Sequence, residues 1–277
     1  MAEKFIHPVE APKYQARHPI RMVTAASLFD GHDAAINMIR RLLQDSGVEV
    51  IHLGHNRSVQ EVVEACLQEC VQGVCVSSYQ GGHMEYFKYM RDLLAEKGAS
   101  HVQIFGGGGG VIIHEEKAEL EKYGIAHIFH PDDGRRLGLQ GMINLILEKC
   151  DFDPSLQFVP TSQPFAQGDP SSSSALSQAT LGEKGWKLTE ASLELGNLFS
   201  CVEKGLVPGV PERYRARRAP LVLGITGTGG AGKSSLIDEI LQRFLNVRPE
   251  LKIGVFCVDP SKRKTGGSLL GDRIRMN

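Results

Sequence analysis

The 277 residues are 42% hydrophobic and 23% charged, a balance that buries a sizeable core and excludes wholesale disorder. Lys and Arg number 31 against 32 Asp and Glu, so no net field draws the chain to nucleic acid or to an anionic membrane, and neither is expected as a partner. A chain of this length holds one or two cores, and two is the better starting expectation.

Residues 1–19 form an N-terminal extension, polar and mixed in charge, without the basic start and apolar run of a secretion signal. The longest apolar run falls far short of the ~20 residues that a membrane-spanning helix needs, so the expected location is cytoplasmic. From 20 to 150, short apolar runs alternate with amphipathic stretches, the mark of a parallel α/β domain. Strands are predicted at 21–27, 48–53, 73–78, 102–105 and 126–129, and helices at 33–44, 58–71, 83–96, 115–123 and 134–148. Ser58 followed by Glu61 makes a capping box. Together these predict a flavodoxin-like, five-stranded parallel sheet whose ligands lie beyond the carboxyl ends of the strands.

Residues 151–185 change character: Pro154, Pro160, Pro164 and Pro170 bracket Gln and Ser, and Ser171 to Ser174 is an unbroken serine run, a linker composition. Residues 186–219 read as a helical connector, with apolar residues at helical spacing before a charged stretch that leads into Pro220. The last segment, 220–277, is predicted to hold a strand at 221–226, a helix at 233–244, a strand at 252–258 and a loop rich in glycine and charge. A P-loop α/β domain is usually over ~100 residues long, so this segment is expected to be a truncated, N-terminal part of one. The six cysteines (Cys66, Cys70, Cys75, Cys150, Cys201, Cys257) form no C-x-x-C pair and are expected to be reduced and mostly buried.

Gly227-Thr228-Gly229-Gly230-Ala231-Gly232-Lys233-Ser234 matches G-x-x-x-x-G-K-[ST] between an apolar run and an amphipathic helix. The glycines let backbone N–H groups wrap phosphates, and the helix N-terminus adds a favourable dipole. Lys233 is expected to reach the terminal phosphates as the one catalytic group of a nucleotide hydrolase here. Ser234 is expected to bind Mg²⁺, with Ser235 beside it in the nucleotide site. Asp259, ending the next predicted strand, is placed to reach the same ion.

The first predicted strand ends in Asp30-Gly31-His32-Asp33, which sets an imidazole on the ligand-binding edge with a carboxylate two residues before it. A metal-bound histidine commonly donates its other N–H to such a group. The third strand ends in Ser77-Ser78-Tyr79, and the fourth in the run from Gly106 to Gly110, both on the same edge. A glycine run directly after a strand suits a large ligand that presses close to the backbone. Asp30, His32, Ser77 and the glycines, Gly106 and Gly107 first among them, resemble the D-x-H-x-x-G … S-x-L … G-G pattern of base-off/His-on cobalamin-binding domains. Ala35 and Tyr79 depart from that pattern. The resemblance implies that His32 is the lower cobalt ligand, that Asp30 tunes it, and that the displaced nucleotide tail enters a cleft lined by Ser77 and the glycines.

The stretch from Val258 to Met276 is similar to the switch region of MeaB-type G-protein chaperones. That similarity implies Mg²⁺ near Asp259, Asp272 and the Val258 carbonyl, with Arg275 approaching the nucleotide. A cobalamin domain followed by a MeaB-like domain resembles the fused isobutyryl-CoA mutases. The resemblance implies an adenosylcobalamin-dependent isomerase that interconverts isobutyryl-CoA and n-butyryl-CoA by radical rearrangement. It also implies GTP with Mg²⁺ gating cofactor loading, a homodimer, and acyl-CoA bound in a mutase barrel outside these 277 residues, so that the segment alone is expected to lack mutase activity. Two other readings share parts of the pattern. A signalling receiver joined to an NTPase would need an aspartate where Ser77 and Ser78 stand, and a cobalamin carrier or methyltransferase module would leave the switch stretch unexplained.

Overall fold

The computed structural model describes residues 11–153, 199, 219–251, 253–256 and 267–270. The expectations for the linker beyond 153, for the connector apart from Phe199 and Ala219, and for Cys201, Cys257, Val258, Asp259, Asp272 and Arg275 lie outside them.

Five strands and five helices alternate from Arg21 to Cys150: β1 Arg21–Ser27, α1 Ala34–Asp45, β2 Glu49–Arg57, α2 Val59–Gln68, β3 Gly73–Ser77, α3 His83–Glu96, β4 Gln103–Gly107, α4 His114–Tyr123, β5 His127–Phe129 and α5 Pro131–Cys150. All pairings are parallel, in the order β5-β4-β3-β1-β2. The order reverses between β1 and β3, and a doubly wound sheet opens its ligand crevice at that switch point. Strand burial is nearly continuous, as parallel strands covered on both faces require. Because side chains alternate, Val23, Ala25, Val74, Val76 and Ile104 pack under α2, α3 and α4. Met22, Ala26, Cys75 and Phe105 pack on the other face with Ile36 and Leu43 of α1 and Ile143, Ile146 and Leu147 of α5.

Local chemistry sets the boundaries. Ser58 and Glu61 close the expected capping box on α2. Gly124, in the left-handed region at φ 112°, ends α4. Helix α5 begins on Pro131, three residues before its predicted start, because proline suits a first helical position. It breaks its geometry at Gly138, where φ is 65°.

Three differences from the sequence expectation stand out. The sheet gains a sixth strand, β6 Ser268–Leu270, which pairs parallel with Glu49–Ile51 of β2 from a stretch expected to be loop. It covers what would otherwise be an open edge of ladder groups. The predicted strand 221–226 is not one: it pairs with nothing in a sheet, and Leu221 is 99% exposed. Residues 253–256, inside the other predicted strand, are likewise outside any sheet. An apolar run becomes a strand only when a neighbour supplies ladder bonds, and no described residue does so here. Helix α6, Lys233–Val247, does form and runs three residues past its predicted end. Among the described residues no helix is long and apolar enough to cross a membrane.

Cys66, Cys75 and Cys150 are buried free thiols and Cys70 is half-buried, as expected. Burial pushes the Cys75 thiol up to about 12, which keeps it protonated and unreactive at neutral pH.

The segment before β1 is fastened to the end of α5 by one carboxylate. Asp151, whose side chain is 3% exposed, accepts from the Tyr14 hydroxyl at 2.9 Å and from the backbone N–H groups of Arg17 and His18, both at 2.9 Å at their shortest. The His18 ring joins at 2.9 Å. Burial alone would raise this carboxyl, but these donors outweigh it and hold it down at about 2. A depressed folded-state pKa stabilises fully above the unfolded value of ~3.9 and loses its effect as pH falls toward the folded one. Asp151→Asn is therefore expected to lower the urea midpoint at pH 7, with the gap to the parent chain narrowing between pH 4 and about 2. Denaturation of both chains across that range measures it. Packing gives a second expectation. A Cβ on Gly106 would lie 2.4 Å from Phe87 Cζ and 2.6 Å from Ile128 Cδ1, whereas one on Gly110 would meet nothing within 4 Å. Gly106→Ala should cost about 1–3 kcal/mol in a urea melt. Gly110→Ala should stay within about 0.5 kcal/mol.

Candidate functional site at the carboxyl edge of the sheet

The loop after β1 is held in an unusual shape. Phe29 and Asn56 both take left-handed backbone conformations, φ 64° and 58°, and the Asn56 side chain accepts from the Phe29 N–H at 2.8 Å. The Gln80 side chain donates to the Phe29 carbonyl from the β3 side. The turn so formed drives Asp30 inward, to 1% exposure.

Asp30 then organises the site. Its Oδ1 accepts from the His32 backbone N–H at 2.8 Å and faces His32 Nδ1 at 2.9 Å. Its Oδ2 accepts from the Tyr79 N–H at 2.7 Å, across the switch point. A carboxylate that already accepts from two backbone donors takes the ring bond as an acceptor too, so Nδ1 carries the proton and Nε2 keeps its lone pair. The His32 side chain is 71% exposed, and its ring lies 5.1 Å from that of Tyr79. The arrangement is that of an imidazole prepared to bind a metal through Nε2.

Beside it, an apolar cleft of about 210 Å³ runs between the sheet edge and helices α1 and α5. Ser77 and the backbone of Gly106 to Gly109 line its floor, and Ala35, Met38, Ile39, Leu139 and Met142 line its walls. Ser77 Oγ is buried and has no hydrogen-bond partner, a costly state for a hydroxyl unless something outside the chain completes it. The glycines keep the cleft open for different reasons. Side chains at 106 and 108 would collide with the protein itself, the latter 1.9 Å from the Ser78 carbonyl oxygen. Gly109 has φ 58° and would meet the Tyr79 ring at 2.9 Å, while Gly107 has ordinary contacts only.

Asp30, His32, Ser77, Gly106 and Gly107 are thus brought to one edge, as expected from the sequence. Gly108 and Gly109, in the glycine run expected to line the cleft, do line it, whereas the α5 residues Leu139 and Met142 were not foreseen there. Gly134, Gly138 and Gly141 within one helical stretch were the available signal, since glycine is unfavourable in a helix interior unless close packing or a kink requires it.

The phosphate-loop motif stands at the start of α6. Gly230 and Gly232 are left-handed at φ 76° and 79°, with Gly232 as the helix N-cap. The Ala231 N–H donates to the Thr228 carbonyl at 3.3 Å. Lys233 folds back to donate from Nζ to the Thr228 carbonyl at 2.7 Å. Gly227, Gly229 and Ser235 are exposed and Ser234 is half-buried on the first turn. Backbone N–H groups, a helix N-terminus and an ammonium therefore converge on one open loop, a group of donors suited to phosphate.

Two family models match this chain: the B12 binding domain over residues 20–136, and the methylmalonyl Co-A mutase-associated GTPase MeaB over residues 213–277. The chain is 58% identical over 266 residues to a fused isobutyryl-CoA mutase of Geobacillus kaustophilus, a match that covers 95% of this chain and 23% of the relative. It is 52% identical over 276 residues to the fused isobutyryl-CoA mutase of Cupriavidus metallidurans, covering 98% of this chain and 23% of the relative. Over 114 residues it is 34% identical to the 2-hydroxyisobutanoyl-CoA mutase small subunit of Aquincola tertiaricarbonis, 41% of this chain and 82% of that subunit. The chain spans about a quarter of the length of the fused relatives. With a B12-binding domain on a five-stranded flavodoxin-like sheet and a MeaB GTPase segment after it, the chain belongs to the fused isobutyryl-CoA mutase family.

Proposed function

We propose that residues 20–150 bind adenosylcobalamin with its base displaced and His32 Nε2 as the lower axial ligand. The observation that carries this is the Asp30 to His32 Nδ1 bond at 2.9 Å beside a buried Ser77 hydroxyl that lacks a partner. An Nδ1–H donated to a buried carboxylate fixes the tautomer and makes Nε2 a better donor to cobalt. The nucleotide tail would lie in the cleft, with Ser77 Oγ completing its hydrogen bond there and the Gly106 to Gly109 backbone in close contact. When bound, the cofactor supplies a weak Co–C bond whose homolysis starts radical chemistry.

The segment from 220 is proposed to bind GTP and Mg²⁺. Gly227, Gly229, Gly230, Ala231 and Gly232 would wrap the phosphates, Lys233 would neutralise the terminal ones, and Ser234 would reach the ion, with Ser235 alongside. Val258, Asp259 and Asp272 are assigned to Mg²⁺ and Arg275 to the nucleotide on sequence resemblance. In the complete protein we assign isomerisation between isobutyryl-CoA and n-butyryl-CoA, with substrate in a separate mutase barrel, GTP hydrolysis governing cofactor loading, a homodimeric state and a cytoplasmic location. The divisions at 1–19, 20–150, 151–185, 186–219 and 220–277 are proposed as the domain plan.

Adenosylcobalamin titrated into this chain should give the base-off/His-on absorption spectrum, and His32→Ala should abolish it. An unchanged spectrum in that variant would remove His32 from the axial position. Asp30→Asn should retain the spectrum with affinity lowered roughly ten- to hundredfold, the usual effect of losing a partner behind a metal-bound histidine. For the other half, Lys233→Ala should weaken Mg²⁺-GTP binding at least about tenfold in a fluorescent-nucleotide titration, a change of about 1.4 kcal/mol. Equal affinity for GTP and ATP in the parent chain would defeat the guanine assignment.

A further inference from the structure

On the rim of the cleft, where the loops after β4 and β5 meet, two imidazoles and a carboxylate converge. His114 is the first residue of α4, His130 is the N-cap of α5 and part of the cleft wall, and Asp132 sits in the first turn of α5. The two rings lie 4.0 Å apart between centroids. Asp132 Oδ2 is 3.0 Å from His130 Nδ1 and 3.3 Å from His114 Nε2, and one ligand atom from each residue falls within 4.8 Å of the others. Tetrahedral coordination at bonds of about 2.0–2.1 Å puts ligand atoms roughly 3.3 Å apart, so two of the three edges are already near that spacing.

We propose that His114, His130 and Asp132 form a binding site for a divalent transition metal, Zn²⁺ being the best match. His130 Nδ1 accepts the Asp132 backbone N–H at 3.3 Å, a role that leaves it without a proton, yet it also faces a carboxylate oxygen at 3.0 Å. Two acceptors set against each other call for a cation between them. Taking both rings to the doubly protonated imidazolium form would set two positive charges 4.0 Å apart, whereas one metal ion serves all three groups at once. Two imidazoles and one carboxylate select Zn²⁺, Ni²⁺, Co²⁺ or Cu²⁺ over Mg²⁺ and Ca²⁺, which take oxygen ligands.

The helix N-termini at His114 and His130 would by themselves favour an anion. That demand is met by the chain's own acids, Glu115 and Glu116 on α4 and Asp132 and Asp133 on α5, and Asp132 stands where an anion would have to sit. Arg135 binds the other oxygen, Oδ1, at 3.1 Å, which leaves Oδ2 as the metal-facing atom. The His114 and Asp132 side chains are 65% and 52% exposed, so a three-ligand site here keeps a position for water or an incoming group. A bound metal would tie the α4 and α5 loops together across the cleft mouth. The site goes beyond the cobalamin assignment and stands independently of it.

Zn²⁺ titrated calorimetrically into the 277-residue chain in a non-chelating buffer should show one saturable equivalent. His114→Ala, His130→Ala and Asp132→Asn should each weaken it at least tenfold, while His55→Ala, at an exposed histidine away from the cluster, should leave it unchanged. Added Mg²⁺ should not compete. Absence of saturable binding, or binding that survives all three changes, would overturn the proposal. The exposed position of His114 keeps that variant folded, which a thermal melt verifies, so its result decides even if Asp132→Asn unfolds.

Discussion

The site depends on one buried carboxylate. Asp30 accepts from His32 twice, through backbone and ring, and from the Tyr79 backbone on the far side of the switch point. A carboxylate at 1% exposure is tolerated only when its oxygens are met by donors, and these three are supplied by the two loops that frame the ligand crevice. The same bonds that make the burial affordable also fix the imidazole tautomer. Ligand preparation and loop packing are therefore a single interaction, and neither changes without the other. The left-handed backbone at Phe29 and Asn56 belongs to the same arrangement, since it turns the chain sharply enough to send Asp30 inward.

The core strands were legible because their pattern is strong. Strand β1 and helix α3 fall on their predicted residues, and the Ser58 to Glu61 box marks the start of α2. Both faces of each strand must be apolar in a covered parallel sheet, and the sequence writes that as unbroken apolar runs. Asp30, His32, Ser77 and the glycines could be placed together because each lies at or just past the carboxyl end of a strand, and strands in a parallel sheet end on one edge.

What was not legible depended on partners rather than on local preference. Residues 221–226 are apolar enough for a strand but stand without a ladder among the described residues, whereas Ser268–Leu270 pairs because β2 offers an edge at the right place. The cleft walls from α5 were hidden because a helix carrying three glycines, at 134, 138 and 141, gives a weak amphipathic signal. The kink at Gly138 comes from backbone geometry that only the assembled helix makes visible. Cluster chemistry was hidden in the same way: His114 and His130 are sixteen positions apart, and only the parallel layout of β4 and β5 makes them neighbours.

The Asp151 fastening has a geometric consequence. Helix α5 runs back against the strands, so its last turn and the segment that enters β1 meet at the amino edge of the sheet, where Tyr14, Arg17 and His18 close on a single carboxylate. Entry to and exit from this domain therefore lie at one point, on the opposite side from His32 and the cleft. A pull on either end is therefore borne first by the Asp151 bonds at that root, a sheet's length away from the imidazole.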